Sequence, residues 1–118
     1  MITLKVDEAY AFDYLAILEI KNKLYPSPQQ NAVWLMCKEH LIQKLNNFID
    51  IYNSLEYQEL LNSNQITFEL IDRLRNGENI TAKEIDDANM NRFYKKQNLQ
   101  NKFFNNSLTE EKIPGNPE

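Results

Sequence analysis

Glycine, proline and cysteine are all scarce in this chain. Two glycines and four prolines among 118 residues leave little material for tight hairpins, which argues against a β-rich fold and for helices. With glycine only at 77 and 115, no Gly-rich phosphate loop can be built. The single cysteine, Cys37, excludes an internal disulfide. Cys37 and His40 stand three apart, but a zinc site takes about four ligands and no second Cys or His pair exists. A nucleophile with a histidine base would have to use His40, the single histidine, and nothing near it suggests a triad. No apolar run approaches the ~20 residues of a membrane span. The opening "MITLKVDEAY" also lacks the long apolar stretch of a signal peptide. A cytoplasmic protein with no membrane association is therefore expected. A formal charge of −4 offers no basic footprint, so nucleic acid is not an expected partner. The one basic aromatic stretch, "RFYKKQNLQNK", reads equally well as a solvated helix face. Lysine outnumbers arginine and asparagine is abundant, a bias that suggests AT-rich coding and a bacterial or phage source.

What is present is ordinary for one globular unit: 42% hydrophobic and 25% charged residues, in a chain long enough to bury roughly two thirds of its unfolded surface. The expected architecture is all-α, an antiparallel bundle of about four helices over residues 1–106. "MITLKV" forms a short extended lead-in, and the tail 107–118 is mobile, being polar and broken by Pro114, Gly115 and Pro117. The first helix is expected from Glu8 to Leu24, stopped at "YPSP". Ser27 and Pro28 then give a cap and a first-turn proline for the second. That helix places Trp34, Cys37, Leu41, Leu45, Phe48 and Tyr52 on one face and is expected to continue to about Asn53. A third region follows as one helix or two, with Leu60, Phe68, Leu70, Ile71 and Leu74 as buried candidates, until Gly77 ends it. "TAKE", Thr81 to Glu84, is a capping box that opens the fourth, which runs to about Phe104.

Two carboxylates break the pattern. Asp13 and Glu19 lie in the otherwise apolar decamer "FDYLAILEIK", each among aliphatic or aromatic neighbours. In the last helix the anomaly is inverted, because Asn89, Arg92, Lys96 and Gln100 make a polar stripe between apolar ones. An unpaired buried charge costs several kcal/mol, so acids in one helix and bases in another imply that the two helices meet. Such a network can serve as an ion-pair lock on helix register. The same side chains, Asp13, Glu19, Asn89, Arg92 and Lys96, can also be read as a groove for a small anionic ligand, with the acids orienting the bases. Glu19 has in addition a simple surface option in Lys23, four residues on.

These residues also carry a resemblance. "DYLAILEIK" is similar to the D-K-I-x-I-L-E-I-K signature near the start of a family of small bacterial proteins classed as a domain of unknown function, matching at Asp13, Ile17, Leu18, Glu19, Ile20 and Lys21. "NQITFELIDRLR" resembles that family's N-x-x-L-W-x-I-E-D-x-I-R segment at Asn64, Asp72 and Arg75, with Phe68 for the tryptophan and Ile71 where the pattern has glutamate. "NMNRFYKKQNL" resembles its N-x-x-R-x-x-x-K-x-x-I at Asn89, Arg92 and Lys96. The resemblance implies a small helical protein and supplies no activity.

One enzyme pattern competes. Glu56-x-x-Glu59 followed by Glu84-x-x-Asp87 has the form of the paired acidic site with which all-α nucleoside triphosphate pyrophosphohydrolases hold Mg²⁺. With 17 acidic residues in the chain such pairs recur by chance, a third (Glu69-x-x-Asp72) intervenes, and Glu84 already belongs to a capping box. The preferred expectation is thus a non-catalytic binding or assembly protein without a cofactor. A first helix apolar on nearly every side adds the expectation of a homodimer.

Overall fold

A computed structural model describes residues 1–2 and 5–104. The expected tail lies outside them, as does part of the expected lead-in. Local chemistry sets each helix boundary. Helix α1, Glu8–Leu24, stops before Pro26. Helix α2, Pro28–Lys44, opens where Ser27 Oγ accepts from the Gln30 amide at 3.0 Å. After the short α3, Phe48–Tyr52, the Ser54 hydroxyl accepts from the Tyr57 amide at 3.1 Å and starts α4, Leu55–Arg75.

Helix α4 closes in a Schellman turn: the Gly77 amide donates to Leu74 and the Glu78 amide to Arg73, with Gly77 at φ 86°, a conformation that favours glycine. The capping box forms as expected, the Glu84 amide donating to Thr81 Oγ1 at 3.1 Å and the Thr81 amide to Glu84 Oε1 at 3.2 Å, and it opens α5, Ala82–Phe103. Among the described residues all regular structure is helical and there is no strand.

Helix α1 is the central element, packing against α2, α4 and α5. Its Phe12, Leu15 and Ala16 meet Leu41, Phe48, Ile51, Tyr57, Leu60 and Leu99 in the core. Rings provide much of the cohesion: Phe12 stacks on Phe48 at 5.7 Å and meets Tyr57 edge-on at 6.1 Å. Lys95 pairs with Glu59 at 3.6 Å and Lys102 with Glu56 at 3.5 Å, so the first turns of α4 lie beside the last turns of α5.

Two expectations about this middle region are corrected. The second helix does not run on to Asn53, because Leu45 turns extended and α3 starts afresh at Phe48. Asn46 and Asn47 stand at the break, and the new direction places Phe48 and Ile51 in the core. The face assigned to the second helix is accordingly thin, with Leu41 its one fully buried residue in α2. In α4, Tyr57, Leu60, Ser63, Asn64 and Thr67 are buried, whereas Leu74 is exposed and Phe68, Leu70 and Ile71 are only half-buried. Past Leu60 the inner face of α4 turns polar, and there Asn64 meets a carboxylate of α1.

Candidate functional site

That carboxylate is Asp13, on the inner face of α1 and 6% exposed. Arg92 of α5 grips it side-on, Nη2 donating to Oδ2 at 2.9 Å and Nε to Oδ1 at 3.2 Å. From α4 the Asn64 amide nitrogen adds a bond to Oδ1 at 2.9 Å and a second to the Leu60 carbonyl at 3.1 Å. Three helices thus converge on one anion, which receives two donors from a cation and one from an amide, the geometry that a buried carboxylate requires.

The other residues of the expected site part company. Glu19 does not meet Arg92 or Lys96. It lies six residues beyond Asp13, about 120° around α1, and accepts instead from Tyr52 Oη at 2.9 Å and Tyr57 Oη at 3.2 Å. Lys23, its other candidate partner, donates to Gln65. Lys96 stands with its ammonium 3.9 Å from the centre of the Tyr10 ring. Gln100, from the same stripe, accepts from the Ala9 amide at 2.8 Å and donates to Glu8 at 3.0 Å, tying the end of α5 to the start of α1. Asn89 is exposed.

Asn64, Tyr52 and Tyr57 are the members of these networks that pattern reading missed. One signal was present: Ser63, Asn64 and Thr67 continue the helical spacing of Leu60 and so put polar groups on a core face. Both phenols beneath Glu19 are held protonated. Burial, followed by the Glu19 charge, pushes Tyr57 far above the ordinary value of 10.0, and the same causes raise Tyr52.

The paired acidic motif does not assemble. Glu56 and Glu59 engage the lysines near the end of α5, whereas Glu84 caps the start of that helix and Asp87 pairs with Lys83 at 2.7 Å. Eleven residues of helix separate Glu84 from Lys95, a span of ~16 Å. Among the described residues no group of three or more His, Cys, Asp or Glu side chains is placed to hold a metal ion, and no helix is long and apolar enough to cross a membrane.

A different surface carries a patch of exposed apolar side chains. Between α1 and α2 runs a groove of about 530 Å³, lined chiefly by Tyr14, Leu18, Val33, Met36, Cys37 and His40. Met36 is 72% exposed, Tyr14 54% and Val33 40%. Burial of Cys37 against the core raises its thiol above the ordinary value, as befits a packed side chain. No family model matches the chain, and no curated protein or solved structure matches it.

Proposed function

We propose that this chain is a small non-catalytic assembly protein of the cytosol, an antiparallel bundle of four main helices that pairs with a second copy of itself through the α1–α2 face. The observation that carries this reading is the poor burial of α2. A helix of 17 residues that places only Leu41 fully inside, while Val33, Leu35, Met36 and Ile42 remain exposed, has a face that the other described residues do not cover. Val33, Met36, Cys37 and His40 fall at i, i+3, i+4 and i+7, the spacing with which one helix settles into a groove. The same residues line the groove itself. A surface that is both ridge and groove suits an isologous two-fold contact, in which each α2 lies against Tyr14 and Leu18 of the other copy.

In this reading the Asp13–Arg92–Asn64 network locks the helices. Asp13 already matches the charge of Arg92, which argues against a small anion as its ligand. Asp13, Asn64 and Arg92 each come from one of the three segments that resemble the bacterial domain-of-unknown-function family, which supports membership of that family and a shared structural lock. For the pyrophosphohydrolase reading, no feature of the geometry speaks in favour.

Light scattering at micromolar concentration is expected to give about twice the 14.0 kDa chain mass, and Met36→Glu is expected to return the protein to a monomer. A monomeric native protein across that concentration range would remove the proposal.

A further inference from the structure

The α1–α2 groove is lined almost wholly by apolar surface, yet one of its side chains can gain a charge near neutral pH. That side chain is His40, the chain's single histidine, and an imidazole takes up its proton around pH 6.5. His40 is exposed on α2 and makes no hydrogen bond or ion pair with a described residue. Its surroundings offer nothing to hold a positive charge. From α1 the groove receives Ala11, Tyr14 and Leu18, of which only the phenol titrates, and phenols stay neutral at these pH values. On α2, Cys37 keeps its proton because burial raises the thiol. Lys44, one turn further on and exposed, repels an imidazolium. Glu39 is turned about 100° around the helix, and Lys38 lies over the Trp34 and Tyr52 rings. The exposed Asp50 of α3 makes no ion pair with His40. Met1 lines the groove too and brings a positive α-amino group.

We infer that protonation of His40 regulates the pairing of two copies, which assemble while the imidazole is neutral and part when it is charged. The inference rests on the self-association reading, in which His40 belongs both to the ridge and to the groove that receives it. When a second copy fills the groove, His40 exchanges water for apolar neighbours, and an imidazolium there forfeits its hydration with no acid to replace it. A neutral imidazole loses far less. The pair therefore binds fewer protons than the separate chains do. Above about pH 6.5 both states carry neutral imidazoles and pairing has its full strength. As pH falls past that value the free chains take up protons that the pair refuses, and the equilibrium moves toward the monomer. Two imidazoles enter each interface. From pH 7.5 to pH 5.5 the charged share of a free imidazole rises from about a tenth to about nine tenths, so a pair that admits neither proton weakens by about a hundredfold.

Sedimentation equilibrium of the full chain at pH 7.5 and pH 5.5, with ionic strength held constant, tests this assignment. The dissociation constant of the native protein is expected to be at least about tenfold larger at the lower pH. His40→Gln keeps a polar side chain and removes the titration, so its pairs should be equally tight at both values, within about twofold. The variant also separates His40 from the Met1 amino group and from every carboxylate, all of which it retains. A native dimer equally tight at both pH values would overturn the proposal and leave self-association standing. A His40→Gln dimer that weakens as much as the native one would do the same. A native chain that is monomeric at both values would remove self-association itself, and this inference with it.

Discussion

Replacing Arg92 with methionine is expected to cost about 3 kcal/mol of folding stability in urea denaturation, and adding Asp13→Leu to the same chain is expected to restore most of that loss. The asymmetry follows from what each change leaves behind. Without Arg92, Asp13 remains charged at a position 6% exposed, with only the Asn64 amide to compensate it. Removing one partner of a buried pair costs about 3–5 kcal/mol, and the low end applies because the Arg92 side chain keeps 29% of its exposure. In the double variant no charge is stranded, and leucine joins an aliphatic neighbourhood. Asn64 then loses one acceptor and keeps the Leu60 carbonyl, a residual cost of about 1 kcal/mol. A domain of this kind has about 5–15 kcal/mol in total, so the single variant should be visibly fragile and the double one close to native. Strictly additive losses in the cycle would mean that the contact contributes no coupling and that the lock is misassigned.

The Asp13–Arg92 contact was legible in the sequence because both partners are charged and both interrupt apolar stripes, so pattern and electrostatics point the same way. Glu19 was misread for the opposite reason. Its partners are phenols, and a tyrosine on a core stripe gives no sign that its hydroxyl serves a carboxylate 33 or 38 residues away. Asn89 belongs to the same stripe as Arg92 by periodicity, yet periodicity says nothing about what faces each position. Glu8 meets Gln100 and Asp13 meets Arg92, so one turn further along α1 the facing residue is Ile17, which gives Asn89 nothing to bond. The caps at Ser27 and Thr81 were readable because they depend on three or four adjacent residues. The break between α2 and α3 was not, since Asn46 and Asn47 permit a helix as readily as they end one. Its cause is tertiary, the gain from turning Phe48 and Ile51 onto Phe12 and Tyr57. The acidic pairs show the converse case, a spacing that exists in the sequence while the two pairs stay apart, since Glu56 and Glu59 meet Lys102 and Lys95 and Glu84 caps its own helix.

Above pH 10 the protein is expected to lose stability faster than a Tyr57→Phe variant does. Tyr57 is fully buried, and burial together with Glu19 raises its folded-state value well above the 10.0 of an unfolded chain. Below pH 10 both states hold the phenolic proton, and the stability linked to it is fully present. As pH rises past 10 the unfolded chain releases that proton while the folded one retains it, so the unfolded state binds fewer protons and stability falls by up to about 1.4 kcal/mol per pH unit from this group. Tyr52 acts in the same direction with a smaller effect, because it is more exposed and solvent screens it. Exposed groups such as Tyr25 and Lys83 also titrate in alkali, which is why the comparison is with the variant and not with a calculated curve. At neutral pH, Tyr57→Phe should cost only about 1 kcal/mol, the worth of one hydrogen bond to Glu19, which keeps Tyr52 as a donor. The two stability curves should then converge and cross as pH rises, with phenolate absorbance from Tyr57 appearing only as the native chain unfolds. Parallel curves above pH 10 would show that Tyr57 ionises in place, and that the half-buried Glu19 carboxylate does not hold the Tyr57 proton as the hydrogen bonds describe.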